Sequence, residues 1–419
     1  MAFVGTRRAL LGGSSLPRWA AGFDLWYNYQ VPQGSYALGF PPATDTHSST
    51  INALTPAGTY QGFAANVPVR TGLGLQTVPT RTNLSAADPV DFSTWGLANI
   101  SVTTDSTIAP NNTATADTLN DGVATGVHSA ASTFSATSAT TYTASFFVKN
   151  IDRNFVQILF SSATHSTNAY ANFDLSAGTV GTVGASATAT ITRVGVGFFR
   201  ITCTAAATAT TSGSFQVTLV QSASAARAEN YTGTSKSIYA WGGQVEAASF
   251  ASPPILTASA TVNGNQQVID LTGKLGVGVS GIVQMDLKAV ANAKRILSFT
   301  DGAGAQISVT TAGTSLQIYS SGGATGAITG GTLTAGVLTI AFAASTNYLN
   351  CQLVGAAANT ALTTLPMPTV DRLAIAGNST NSTDNNYQYT KKLALKFGPQ
   401  NASTFAAAFA AAQLAAVSP

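Results

Sequence analysis

The chain has 419 residues, of which only 8 per cent are charged, and its 19 basic and 16 acidic side chains give a net charge of +3. Ordinary soluble domains carry roughly 25 per cent charged residues. No run of Lys or Arg is long enough to follow a phosphate backbone, so we expect no nucleic-acid binding. No stretch approaches the ~20 consecutive apolar residues of a membrane-spanning helix, so we expect no membrane insertion. The length predicts two or three domains.

Residues 1–80 show little hydrophobic alternation and are rich in Pro, Gly and Thr, so they cannot easily build a core of their own. We predict an extended N-terminal arm that another protein surface holds in place. Its candidate anchors are cationic and aromatic: Arg7, Arg8, Trp19 and Trp26. The Arg pair also fits a twin-arginine export signal, but the apolar stretch behind it is short and broken by glycines, which favours the arm.

Residues 81–252 alternate short apolar runs with Gly, Asn, Asp and Ser turns, the pattern of an antiparallel β-sandwich. Eight or so predicted strands favour a jelly roll. Pro253 and Pro254 remove two consecutive backbone donors and mark a boundary, so we assign 253–266 to a linker. Two Trp residues in this domain, Trp95 and Trp241, are better explained by core packing than by ligand binding.

Residues 267–419 contain further short strands separated by Gly-rich links, which predicts a second β-sandwich similar to concanavalin or laminin-G folds. The chain closes with an Ala-rich segment in which Phe405, Phe409 and Leu414 fall near one helical face. Asn401 or Ser403 can cap it, so a short C-terminal helix is expected. The predicted fold class is therefore all-β, with two tandem antiparallel sandwiches behind an arm.

The sequence offers no constellation that a reaction requires. Its three His residues lie in polar segments without metal-ligand spacing, and no nucleophile elbow or phosphate loop is present. Paired carboxylates for glycan hydrolysis are recognised only by their separation in space, so a hydrolase stays the minor alternative. We expect no enzyme, no cofactor and no metal. Cys203 and Cys351 lie in strand-like segments and are expected to be free core thiols.

Carbohydrate binding needs an aromatic face flanked by amides and carboxylates. Two clusters have these ingredients, and each has a structural alternative, since a Tyr can equally close the core and Asn-rich runs are often solvated loops. The first cluster consists of Asn168, Tyr170 and Asn172, and the second of Asn381, Asp384, Asn385 and Tyr387.

Several short strings, in this order, resemble the head-spike and tail-fibre proteins of tailed bacteriophages and gene transfer agents. They are residues 64–68 (AANVP), 72–75 (GLGL), 81–84 (RTNL), 91–95 (DFSTW) and 238–246 (IYAWGGQVE). The resemblance covers roughly residues 60–252 and concerns a β-sandwich module like those that bind carbohydrate.

The resemblance implies a virion protein, assembled in the host cytoplasm, that attaches the particle to cell-envelope polysaccharide. It further implies a homo-oligomer, most simply a trimer, whose N-terminal arm contacts other virion proteins. Two alternatives stay open: a purely structural decoration or connector protein without glycan binding, and a secreted adhesin. The free thiols speak against the secreted protein.

Overall fold

A computed structural model of the chain describes residues 25–28, 44–270, 279–287, 295–301, 306–312, 315–320, 325–328, 336–345, 348–353, 372–375 and 388–397. Up to residue 136 the strands are β1 (Leu25–Asn28), β2 (Thr44–Thr46), β3 (Ile51–Leu54), β4 (Tyr60–Phe63), β5 (Arg70–Thr71), β6 (Gly74–Thr77), β7 (Arg81–Thr82), β8 (Gly96–Ala98), β9 (Ser101–Thr107), β10 (Ala116–Asn120), β11 (Thr125–Gly126) and β12 (His128–Ala136).

The chain continues with β13 (Thr141–Asn150), β14 (Phe155–Phe160), β15 (Tyr170–Asp174), β16 (Thr179–Val183), β17 (Ala187–Arg193), β18 (Phe199–Ala206), β19 (Thr211–Val220), β20 (Tyr231–Thr232), β21 (Ser237–Glu246) and β22 (Thr261–Val262). The last strands are β23 (Gln266–Asp270), β24 (Val279–Leu287), β25 (Arg295–Thr300), β26 (Gln306–Ala312), β27 (Ser315–Ser320), β28 (Thr325–Ile328), β29 (Gly336–Ser345), β30 (Tyr348–Leu353), β31 (Arg372–Ile375) and β32 (Gln388–Phe397).

The all-β class predicted from the sequence is confirmed. Apart from the strands, the described residues contain two short 3₁₀ turns, Phe92–Thr94 and Gly195–Gly197, and no α-helix. The helix predicted near the C-terminus lies outside the described residues. Within the described part of the chain, no helix is long and apolar enough to cross a bilayer.

The chain divides into two compact units, each assembled from separate segments. The first sandwich comprises Ile51–Gly62 and Arg81–Val262, and the second comprises Met1–Thr50, Phe63–Thr80 and Asn263–Pro419. The division differs from the predicted one because the proposed N-terminal arm supplies strands to both units.

The first sandwich consists mainly of two six-stranded antiparallel sheets and has a jelly-roll-like form. One sheet has the strand order β17-β18-β13-β21-β10-β9, and the other has the order β16-β15-β14-β19-β12-β8. Buried side chains from both sheets, such as Phe146 and Ile201 from the first and Ile158 and Phe215 from the second, belong to one hydrophobic core. The sheets therefore pack face to face.

Aromatic rings fill this core, and both Trp residues expected to be packing residues are buried. Trp95 stacks on Phe92 at 4.8 Å and meets the edge of Phe215 at 5.3 Å, and its indole N–H donates to the Asp88 carbonyl. Trp241 lies in a smaller core on the other side of its sheet, 5.2 Å from Phe147. Both indoles are thus committed to packing.

The β3–β4 hairpin, which falls inside the predicted arm, covers part of that smaller core. The Tyr60 ring meets Phe147 edge-on at 5.4 Å, and the Tyr60 backbone N–H donates to the Pro110 carbonyl at 2.8 Å. A segment without a core of its own is thereby ordered by packing on a sheet.

The second sandwich contains two seven-stranded antiparallel sheets. In one sheet β32 pairs with β24, β6 and β1, so Leu25–Asn28 and Gly74–Thr77 both add to a strand more than 300 residues away in sequence. The other sheet has the order β2-β23-β31-β25-β26-β27-β28. Buried Met285, Leu393, Phe299 and Leu373 show that strands of both sheets carry apolar side chains inward.

Substitution of Gly243 tests how tightly the core of the first sandwich is packed. A Cβ atom there would lie 2.5 Å from Trp95 Cζ2, whereas one at Gly96 would meet its nearest heavy atom, the Ala131 carbonyl oxygen, at an ordinary 3.5 Å. We expect Gly243→Ala to lower the free energy of unfolding by about 1–3 kcal/mol, because the indole must move. Gly96→Ala should change it by less than ~0.5 kcal/mol. Urea unfolding measures both, and equal effects would contradict this account of the core.

Candidate functional site

The second sheet of the first sandwich has one face in the core and one face outside it. In β14, Val156, Ile158 and Phe160 belong to the core. Because side chains alternate across a strand, Gln157 and Leu159 face the other way. The register brings further residues beside them: Asn172 and Thr218 opposite Gln157, and Tyr170 and Gln216 opposite Leu159. We call this side of the sheet the outer face. It consists of Gln157, Leu159, Tyr170, Asn172, Gln216 and Thr218, together with Arg227 from the loop after β19.

Two buried amides hold the loop after β19 onto the outer face. Gln157 Nε2 donates to Asn172 Oδ1 at 2.7 Å and to the Ala226 carbonyl at 3.1 Å, while its Oε1 accepts from the Ala228 N–H at 2.8 Å. Asn172 Nδ2 donates to the Ala225 carbonyl at 2.7 Å. Both side chains are fully buried. We call Gln157 and Asn172 the amide clamp, because they fix the backbone on both sides of Arg227.

Arg227 is half-buried on the outer face. Its Nη2 donates to the Phe160 carbonyl at 2.8 Å, and its Nε is buried without a hydrogen-bond partner among the described residues. Burial lowers the pKa of the Arg227 guanidinium, and electrostatic interaction with Tyr170 opposes that shift. The Arg227 guanidinium and the Tyr170 side chain are therefore close enough to interact electrostatically.

The residues of the first predicted sugar cluster occupy different environments. Tyr170 is half-buried on the outer face, and Asn168 is exposed just before β15, where its backbone N–H donates to Ser166 Oγ at 3.1 Å. Asn172 is buried, and its amide oxygen and nitrogen are both hydrogen-bonded within the sandwich. Two of the three side chains can thus reach a ligand, while the third positions the loop.

Asn381, Asp384, Asn385 and Tyr387 lie outside the described residues, as do Arg7, Arg8 and Trp19. The backbone of Trp26 is described: it lies in β1, opposite Ala394 of β32. The functional roles predicted for these residues stay predictions.

The buried charges of the first sandwich have structural partners. Asp121 pairs with Arg153 and accepts hydrogen bonds from the Lys236 and Thr234 N–H groups and the Tyr231 hydroxyl. Burial alone would raise the pKa of Asp121, but the hydrogen bonds and the Arg153 charge lower it. These contacts fix loops rather than present groups to a ligand.

Glu246 and Cys203 are similarly enclosed. Burial raises the pKa of Glu246, whose carboxylate accepts from Ser252 N, Ser252 Oγ and Gln244 Nε2. Burial also raises the pKa of the Cys203 thiol to about 12, as suits an inert core residue. Cys203 is a free thiol, as the sequence predicted. No group of three His, Cys, Asp or Glu side chains in the described part of the chain could hold a metal ion.

Sequence reasoning missed Arg227, Gln216 and Gln157. The alternation of β14 would have placed Gln157 opposite the core positions, and that was the available signal. Arg227 gave no signal, because its position depends on how an Ala- and Ser-rich loop lies on the sheet. No protein-family model matches the chain, and no curated protein matches its sequence.

The hydroxyl of Thr218, buried beneath the clamped loop, has no hydrogen-bond partner among the described residues. We expect Thr218→Val to be neutral or to stabilise the protein by ~1 kcal/mol, because an unsatisfied polar atom is removed without changing the shape. Thr143→Val is the matched control: the Thr143 hydroxyl donates to the Ala248 carbonyl and pairs with Thr204, so its loss should cost about 1 kcal/mol. Thermal unfolding compares them, and equal destabilisation would contradict the prediction.

His165 makes stability depend on pH. Its ring stacks on Phe160 at 4.2 Å, and burial lowers its pKa from 6.5 to about 4. The unfolded chain therefore takes up the proton first, so stability is full above pH ~6.5 and is lost as the pH falls towards ~4, by up to about 3 kcal/mol. Unfolding free energies of the wild type and His165→Phe between pH 7 and 4 isolate this effect, since both share all carboxylates. Identical pH slopes would refute it.

Proposed function

We propose that the chain is a structural protein of a phage-like particle, a head spike or tail fibre, that attaches to cells by binding surface polysaccharide on the outer face of its first sandwich. The proposal is supported by the sequence resemblance across residues 60–252 and by the jelly-roll-like fold. The observation that carries it is the half-buried Tyr170 on a sheet face where the amide clamp fixes the loop that contains Arg227.

This arrangement suits a sugar for physical reasons. A Tyr ring offers an apolar surface to the C–H groups of a pyranose and a hydroxyl for its edge. Amide and guanidinium donors on the same side of the sheet can pair with sugar oxygens: Gln216, one strand beyond Leu159, Asn168, just before β15, and Arg227, in the clamped loop. Because the amide clamp already fixes the loop backbone, binding orders few additional groups.

The proposed assembly is a homotrimer whose N-terminal residues, among them Arg7, Arg8, Trp19 and Trp26, contact other virion proteins.

A second function, a connector or decoration protein without glycan binding, is favoured by one observation. The paired strands β17 and β18 present a row of hydroxyl side chains, Thr188, Thr190, Thr202 and Thr204. Such a surface can be buried against another subunit at little entropic cost.

Substitution of Tyr170 tests the proposed function. We expect the full-length protein to be retained by at least one bacterial surface polysaccharide on an array, and Tyr170→Ala to weaken that binding about tenfold or more, since a sugar-stacking ring is lost. Tyr239→Ala, which removes a half-buried Tyr from the opposite sheet, is the matched control and should bind normally.

Melting curves establish that both variants are folded. Wild-type binding that survives Tyr170→Ala would place the sugar elsewhere. Failure of the wild-type protein to bind any polysaccharide, together with its presence in purified particles, would favour the connector function.

A further inference from the structure

Arg227 differs from the other buried arginines of the first sandwich in having no anionic partner. Arg153 pairs with Asp121, and Arg200 donates to Ser145 and to the Ser252 carbonyl and interacts electrostatically with Glu246. Arg227 forms no ion pair with any described residue, and its one hydrogen bond is to the Phe160 carbonyl. A partly desolvated guanidinium is therefore left without a counter-ion from the described residues, and an anionic ligand could supply that charge.

The nearest acidic residue in sequence does not fill this role. Glu229 lies two residues beyond Arg227, but its Oε2 accepts the Gln221 N–H at 2.7 Å, closing the loop on itself. Asp174 lies on β15, as Tyr170 does, and its Oδ1 accepts hydrogen bonds from the Ser176 hydroxyl and from the backbone N–H groups of Ser176 and Ala177. Both carboxylates thus stabilise turns, and the Arg227 charge remains open to an external anion.

The geometry around Arg227 is fixed before any ligand arrives. Hydrogen bonds from the amide clamp hold Ala225, Ala226 and Ala228, and the Phe160 carbonyl holds one guanidinium nitrogen. A guanidinium presents several N–H donors in a rigid planar fork, which matches the two oxygens of a carboxylate. The half-buried Tyr170 ring provides an apolar surface on the same face, within electrostatic range of the guanidinium.

We propose that Arg227 binds the carboxylate of an acidic sugar, so that the ligand of the outer face is a uronic-acid-type polysaccharide. This inference rests on the proposed function and narrows its ligand to one chemical class. Tyr170 contacts the sugar ring, Arg227 pairs with its carboxylate, and Gln157 and Asn172 act as positioning residues through the loop.

The test uses the full-length protein, a glucuronate-containing polysaccharide, and the same polymer after its carboxyl groups are reduced to alcohols. We expect the wild type to bind the acidic polymer at least tenfold more tightly than the reduced one, with an affinity that falls as salt rises. Arg227→Gln should remove this preference, and Arg227→Lys should retain part of it, because the charge stays but the planar fork is lost. Arg193→Gln, at an exposed Arg on β17, is the matched control and should bind like the wild type.

A second measurement needs no substitution. The Arg-specific reagent phenylglyoxal should modify the wild-type peptide that contains Arg227, and the acidic polymer, but not its reduced form, should protect it. Equal binding of the two polymers, or no binding of the acidic one, would overturn the inference. If the inference fails but the wild type binds a neutral polysaccharide and Tyr170→Ala does not, the proposed function still holds. If the wild type binds no surface polysaccharide at all, the proposed function and the inference both fail. The inference would also be overturned if a sulfated polymer, but not the glucuronate polymer, protected Arg227 from phenylglyoxal, because the bound anion would then be a sulfate.

Discussion

The hydrogen bonds between Gln157, Asn172 and the loop at 225–228 are the interaction on which the outer face depends. Without them a segment of small side chains would have few contacts to hold it against a sheet. Burying two amides is expensive unless their polar atoms are paired. Here the Gln157 oxygen and nitrogen and the Asn172 oxygen and nitrogen each have a partner, so the cost is met and the loop gains one defined position.

The same device recurs at two other loops of the first sandwich. Asp121 gathers two backbone N–H groups from 234–236 and the Arg153 charge, and Glu246 gathers Ser252 and Gln244. A chain with so few charges has few salt bridges to use on its surface, where they would contribute little in any case. Its buried polar groups instead order the connections between strands, while aromatic packing around Trp95 holds the sheets together.

The sequence was a good guide where local pattern decides structure and a poor one where distant segments meet. Alternation in β14 and the Trp241 string indicated strands and core positions that the structure confirms. The pairing of Gly74–Thr77 with β32 left no local trace, because this short strand is stabilised by a partner more than 300 residues away. Asn172 was likewise predicted to be a sugar ligand, because the sequence does not reveal whether an amide near a Tyr faces solvent or is covered by a loop.

Scarcity of charge also changes what a single arginine can do. In an ordinary domain, neighbouring acidic and basic side chains screen one another, and salt screens exposed charges beyond ~8 Å. The described part of the outer face carries few such neighbours, and the acidic ones closest in the chain are bound to their own turns. Because Arg227 is half-buried, its interaction with a bound anion is less screened than that of a fully exposed side chain. A surface with few charges can therefore be buried against another subunit at little cost, while a single half-buried arginine still binds an anionic ligand at one position.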